Sequence, residues 1–115
     1  MLEITHEILG VPYLVKIGLR EEIELDDDRN GECREYSKVI KVCTDLEDFT
    51  EEEVRVRVEE TLAHEFLHGY FAECGLRVDE EEKVCEFYMR NFRRLQNSID
   101  SVYRKWLFDR CKKEC

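Results

Sequence analysis

The sequence has few residues that interrupt secondary structure, with one proline and five glycines in 115 positions. No apolar run approaches the ~20 residues that a membrane-spanning helix needs. The N-terminus lacks the basic region and apolar core of a signal peptide. Internal repeats and low-complexity linkers are also missing. These absences predict one domain over residues 1–115, located in the cytoplasm and without a membrane partner.

Cysteine is plentiful, but none of the six copies belongs to a Cys-x-x-Cys pair. A zinc site built from four thiolates therefore has no local support. Without an export signal, we do not expect the chain in an oxidising compartment, where disulfides form. We expect free thiols that pack as small apolar residues. Cys111 and Cys115, four positions apart, are a weak metal or redox candidate.

Charged residues make up 40% of the chain and are unevenly placed. Residues 1–82 hold nine Lys or Arg and 24 Asp or Glu, for a formal charge of −15. Residues 83–115 hold nine Lys or Arg and four Asp or Glu, for a charge of +5. The acidic part repels nucleic acid, so we do not expect a nucleic-acid partner, although the basic segment offers a place for one to dock.

Residues 1–49 have the alternating and β-branched pattern of strands. The pattern predicts strands over Tyr13–Leu19 and Tyr36–Cys43, with Ile23–Leu25 extending or pairing with the first. Between them lies Asn30-Gly31, a dipeptide that favours hairpins because both residues tolerate positive φ. We therefore expect an antiparallel pair across this loop. The single proline, at position 12, precedes the first predicted strand.

Residues 50–75 have the start and stop signals of a helix. Thr50 and Glu53 have the spacing of a capping box, and Gly75 suits a left-handed C-cap. Three valines alternate with charged residues as they would in a strand: Val54, Val56 and Val58. No turn residue separates these valines from the helical pattern that follows, so we predict one helix.

Apolar residues recur at helical spacing over residues 80–113, which predicts one long helix or two. The predicted core face of this segment contains four residues: Val84, Phe87, Tyr88 and Phe92. Strands followed by helices indicate an α+β fold. We expect a small antiparallel β-sheet followed by a helical half.

The segment from His64 to His68 carries the clearest chemical signal. Residues four apart lie on one face of a helix, so these two imidazoles project to one point and can grip one ion. Zn²⁺ suits imidazole ligands, and three protein ligands leave a position for a water whose pKa falls to ~7. Glu65 is placed to act as general base, taking the proton of this water during attack on a carbonyl and passing it to the leaving amine.

A third ligand is required, and the acidic stretch Asp79–Glu82 opens the next helix at a suitable distance along the chain. Glu81 lies three residues before Val84 and seven before Tyr88, which places it along the predicted core face. We therefore predict Glu81 as the third ligand. The pattern leaves open three other carboxylates: Glu80, Glu82 and Glu86.

These segments resemble the small zinc metallopeptidases encoded by phages and prophages, which are distantly similar to ImmA/IrrE-like peptidases. The resemblance implies a minimal zincin-like core in which a small antiparallel sheet packs on the metal helix. It implies His64 and His68 as zinc ligands, Glu65 as catalytic acid and base, and one glutamate of the Glu81-Glu82 pair as third ligand. It rests on three segments within residues 31–95: Gly31 to Val42, Thr61 to Leu76, and Asp79 to Val84.

The expected function is zinc-dependent hydrolysis of a peptide bond in a protein or peptide substrate. The alternative is a non-catalytic zinc-binding module that acts in interaction or regulation. A fourth protein ligand would favour this alternative, and the candidates are Cys74, Cys85 and His6. Three residues are candidates for stabilising an oxyanion, although each also suits packing or the surface: Tyr70, Tyr88 and Arg90.

Overall fold

The computed structural model describes residues 1–114, which form an α+β fold with a four-stranded sheet and two helices. The predicted fold class is therefore confirmed. The strands are β1 (Leu2–Ile8), β2 (Val11–Gly18), β3 (Gly31–Arg34) and β4 (Val39–Cys43). The helices are α1 (Glu51–Cys74) and α2 (Glu81–Glu114). Neither helix is both long and apolar enough to cross a membrane.

The sheet is mixed, in the order β1-β2-β4-β3, so the expectation of an antiparallel sheet is wrong. β2 and β4 pair in parallel, whereas β1–β2 and β3–β4 are antiparallel. The hairpin predicted across Asn30-Gly31 does not form, because β4 lies between β2 and β3. Instead, β3 and β4 form a hairpin whose turn contains Lys38 at positive φ.

The segment between β2 and β3 contributes to the core instead of reversing the chain. Ile23 and Leu25 were predicted as strand residues, but they lie in this loop, where they are buried against Cys43 with Leu46 beside them. Burying these side chains requires the loop to fold back over the sheet, which explains why a tight turn at Asn30-Gly31 is not used.

The structure differs from the predicted strands at three places. The sequence predicted its first strand at Tyr13, whereas β1 covers Leu2–Ile8 and Pro12 lies inside β2 instead of before it. Pro12 is tolerated because it pairs only with Glu7 of β1, and the pairing of β2 with β4 begins at Leu14. Tyr36, predicted in a strand, lies in the turn before β4 and is fully exposed.

Helix α1 is continuous from Glu51, so the alternating valines do not form a strand. The Thr50 side chain accepts a hydrogen bond from the Glu53 amide, and Gly75 takes the left-handed conformation at the C-terminus. The predicted N-cap and C-cap are confirmed, but the Glu53 carboxylate accepts from the Thr50 hydroxyl and not from the Thr50 amide of a full capping box. Once capped, the helix gains its stability from packing on the sheet, which outweighs the weak strand preference of three valines.

Helix α1 packs on one face of the sheet through a small core. The buried residues are Ile8, Tyr13, Val15, Ile40 and Val42, with Val58, Leu62 and Phe66 of the helix against them. Gly69 permits the close approach, since a Cβ there would lie 2.7 Å from Ile8 Cδ1. This packing fixes the helix that carries both histidines.

Helix α2 is one uninterrupted helix that packs against α1 in the antiparallel direction, with Arg93 bound to Glu59. Its core face differs from the predicted one. Cys85 is fully buried, whereas Phe87 is 70% exposed and Tyr88 is 37% exposed. The helix is thus rotated relative to the prediction, and this rotation decides which glutamates face α1.

Candidate metal centre

His64 and His68 lie one turn apart on α1, as predicted, and their imidazoles converge. The two Nε2 atoms are 3.2 Å apart. Both side chains are largely shielded, with 8% and 15% of their surface exposed. Two nitrogens bound to one tetrahedral zinc ion at ~2.0–2.1 Å would lie ~3.3 Å apart. The histidine pair therefore has the spacing that one zinc ion requires.

Glu82 brings a carboxylate from α2 to the same point. Its two oxygens lie 2.9 Å from Nε2 of His64 and 2.9 Å from Nε2 of His68. If only hydrogen bonds held this group, both imidazoles would have to be protonated at Nε2, with two N–H groups side by side. A shared cation removes that repulsion, so two nitrogens and a carboxylate fit zinc.

Glu81 and Glu86 contact the opposite nitrogens of the two rings. Glu81 Oε2 lies 2.6 Å from Nδ1 of His68, and Glu86 Oε1 lies 3.5 Å from Nδ1 of His64. A metal-bound imidazole commonly donates its other N–H to a carboxylate, which fixes its tautomer and raises its basicity. Burial alone would lower the pKa of His68, but Glu81, Glu65 and Glu82 raise it overall.

Glu65, the predicted general base, is buried beside the histidines. It can offer a carboxylate oxygen that lies within 4.8 Å of ligand atoms of His64 and His68. Burial, the main cause, raises the pKa of Glu65 to about 7, against an opposing effect of His68. The first residue of β3, Gly31, packs directly on this side chain, since a Cβ there would lie 3.0 Å from Glu65 Oε2.

The histidines and Glu65 open into a cleft of about 650 Å³ between α1, α2 and β3. β3 is an edge strand of the sheet, and Gly31, Glu32 and Cys33 line this cleft. The metal ligands predicted on α1 thus face an accessible space bordered by extended backbone.

Arg29 is a cleft residue that sequence reasoning did not single out. Its side chain forms no ion pair with the described residues, although acidic side chains also line the cleft. The guanidinium of Arg20 donates to the carbonyls of Asp26 and Arg29, and the Cys43 amide donates to the carbonyl of Asn30. These bonds hold the loop, and the only sequence signal was a basic residue within an acidic turn.

The other candidates lie in different environments. Glu80 precedes α2 and pairs with Lys83, and His6 stacks on Phe66 with ring centroids 5.6 Å apart. Tyr70 and Tyr88 are partly exposed and do not line the cleft, whereas Arg90 lines it and lies 3.6 Å from Glu86. Of these five candidates, Arg90 is the one that lines the cleft.

The cysteines do not join the histidine cluster among the described residues. Five of them, at positions 33, 43, 74, 85 and 111, are free. Cys115, the predicted partner of Cys111 in a metal or redox pair, lies outside the described residues. Burial is the main cause that raises the pKa of Cys33 and of Cys85 to about 12. Burial thus favours the neutral thiol at both positions.

Comparisons of the chain with protein-family models, with curated proteins and with solved structures each find no match. The interpretation of this site therefore depends on its own geometry.

Proposed function

We propose that this protein is a zinc-dependent peptidase. The observation that carries the proposal is the convergence of two Nε2 atoms 3.2 Å apart with one glutamate carboxylate, next to a buried glutamate in an open cleft. His64, His68 and Glu82 are the proposed ligands. Glu81, the ligand favoured by sequence reasoning, orients His68 instead, because it contacts the nitrogen on the other side of the ring.

Each residue has a defined part in the proposed hydrolysis. These three ligands would hold a zinc ion, whose Lewis acidity would lower the pKa of a water molecule in the cleft. Glu65 accepts a proton from that water as the water oxygen attacks the carbonyl carbon of the substrate. Glu65 then gives the proton to the amide nitrogen as the C–N bond breaks, and the amine leaves.

Arg29 is the proposed stabiliser of the oxyanion that develops on the substrate carbonyl. It forms no ion pair with the residues that the structure describes, and it lines the cleft. Its charge lowers the pKa of Glu65 against the larger, opposite effect of burial. A fixed positive charge directed at developing negative charge is among the largest contributions to catalysis.

A protein or peptide is the proposed substrate because an edge strand lines the cleft. The outer side of β3 offers backbone amides and carbonyls with which an extended peptide can pair. The proposed compartment is the cytoplasm, where a reducing environment suits the free thiols.

The second candidate function is a zinc-binding module without catalysis. It predicts a fourth protein ligand, since structural zinc sites are closed by four. His6 stacks on Phe66, Cys74 is exposed at the end of α1, and no cysteine joins the histidine cluster among the described residues. These environments favour an open coordination position on the zinc ion, which supports the catalytic proposal over the binding module.

The deciding experiment measures zinc content and hydrolysis in the same preparations. Wild type should hold about one zinc per chain and should cleave members of a peptide library, as detected by mass spectrometry. His68→Ala should lose the zinc. Glu65→Gln should retain the zinc but should not cleave the library. Zinc retention with hydrolysis in Glu65→Gln would refute the general base. Zinc retention without hydrolysis in wild type would favour the binding module, and a zinc-free wild type would refute both.

A further inference from the structure

Helix α2 carries an exposed apolar stripe that the proposed catalysis does not use. Its members are 37 to 67% exposed and recur at spacings of three, four and seven residues: Val84, Tyr88, Leu95, Ile99, Val102 and Trp106. These spacings place all six on one side of the helix. The stripe lies beside the face on which Cys85 and Met89 pack toward α1. Large exposed apolar patches mark interaction sites.

The two ends of α2 have opposite charge. Asp79 to Glu82, at the start of the helix, is entirely acidic, whereas Lys112 and Lys113 lie in the last turn. Over residues 93–113 there are seven Lys or Arg and only two Asp. A parallel pair of such helices would place like charges together. An antiparallel pair would place each acidic start beside the basic end of the other helix.

We propose that α2 pairs with α2 of a second copy of this chain, antiparallel and around a two-fold axis near Leu95. In this register Val84 lies across from Trp106 of the second copy, and Tyr88 lies across from Val102. The same surface serves both copies, as a closed two-fold dimer requires. Lys112 and Lys113 of one copy then lie close to Asp79 and Glu80 of the other.

The area available is adequate for such a pair. Six side chains that are roughly half exposed offer on the order of 500 Å² per copy, if about 150–250 Å² is taken for each of the two aromatic residues and somewhat less for each of the four aliphatic ones. The aliphatic parts of the flanking lysines and arginines add to this area. The sum approaches the ~800 Å² that each partner contributes to a standard stable interface.

The test is sedimentation equilibrium of the full chain, with one variant inside the stripe and a matched variant outside it. Ile99→Glu places a charge at the middle of the stripe and should raise the dimer dissociation constant at least ~100-fold. Phe108→Glu makes the same change on the opposite side of α2, where Phe108 is 64% exposed, and should leave the dimer intact. Circular dichroism tests whether both variants fold.

The orientation of the helices is tested by charge reversal. Lys112→Glu with Lys113→Glu should weaken the dimer, and adding Asp79→Lys with Glu80→Lys should restore it, because opposite ends meet only in the antiparallel pair. A monomeric wild type, or equal dissociation constants for Ile99→Glu and Phe108→Glu, would overturn the proposal. If the lysine variant weakens the dimer and the added Asp79→Lys and Glu80→Lys changes do not restore it, the antiparallel arrangement is wrong. None of these outcomes depends on zinc or hydrolysis.

Discussion

At the scale of single residues, Glu81 and Glu82 are neighbours in sequence with different positions around the histidines. Glu82 reaches both Nε2 atoms, whereas Glu81 reaches only Nδ1 of His68. Glu81→Ala should therefore weaken zinc binding by ~10–100-fold, the usual cost of losing an orienting carboxylate. Glu82→Ala should weaken it further, since a ligand itself is lost. Chelator competition measures both, and a greater loss in Glu81→Ala would reverse the two assignments.

The proposed role of Arg29 in stabilising the oxyanion can be tested by measuring kcat. Its removal should lower kcat by ~10²–10³, the typical effect of deleting one group that stabilises an oxyanion, while zinc content stays unchanged. Arg29→Lys should restore part of the rate because it keeps the charge. Arg77→Ala is the matched control, since Arg77 is exposed and does not line the cleft. An unchanged kcat in Arg29→Ala would remove Arg29 from the mechanism.

The sequence predicted the residues of α1 well because the relevant geometry is local. Residues four apart on a helix meet whatever surrounds them, so the convergence of His64 and His68 follows from their spacing. The contacts of Glu81 and Glu82 depend instead on the rotation of α2 against α1. That rotation follows from burying Cys85 in place of Phe87, which the apolar pattern alone does not specify.

At the scale of secondary structure elements, the contact between β3 and α1 aligns the edge strand with the general base. A Cβ at Gly31 would lie 2.5 Å from Thr61 Cγ2 and 3.0 Å from Glu65 Oε2. Gly31→Ala should therefore lower the free energy of unfolding by ~1–3 kcal/mol, as overpacking does, and displace Glu65. Gly18→Ala is the control, because the three atoms nearest to its new Cβ, at 3.2–3.3 Å, all belong to the terminal residue Met1.

Urea denaturation of both glycine variants measures this difference. Unfolding free energies of both variants equal to that of wild type would show that the contact between β3 and α1 accommodates an added methyl group at no cost. Such a result would also weaken the proposal that β3 holds a substrate at a fixed distance from Glu65.

The helices were predicted more accurately than the sheet for a similar reason. Thr50 and Gly75 act within a few residues of themselves, so the caps of α1 could be identified from the sequence. The parallel pairing of β2 with β4 depends on the loop that buries Ile23 and Leu25. The Asn-Gly dipeptide indicates only a local turn preference, so it does not predict that a loop must bury residues elsewhere in the chain.

At the scale of the whole molecule, one polar network joins the sheet to the end of α1. Tyr13 of β2 donates a hydrogen bond of 2.7 Å to Glu73, and Lys38, next to β4, lies 2.5 Å from the same oxygen. The Lys38 and Tyr13 contacts hold the pKa of Glu73 below its usual value. Burial and the Glu73 contact raise the pKa of Tyr13, so Tyr13 stays a donor at neutral pH.

This network should make the free energy of unfolding depend on acid pH. Because the pKa of Glu73 is lower in the folded state than in the unfolded state, the unfolded state binds the proton first as pH falls. The stabilisation is therefore complete above the unfolded pKa and is lost as pH falls through the lower, folded pKa. Glu73→Gln should be less stable than wild type at neutral pH, and the difference should shrink in acid.

Urea denaturation of wild type and Glu73→Gln between neutral and acid pH measures this convergence. Glu47→Gln is the control, since Glu47 is an exposed residue of the loop before α1 and should follow wild type throughout. A constant difference between wild type and Glu73→Gln would show that the carboxylate charge is not what joins the sheet to α1. Since α1 carries both histidines, convergence would also predict that zinc affinity falls in Glu73→Gln at neutral pH, through loosening of the helix on the sheet.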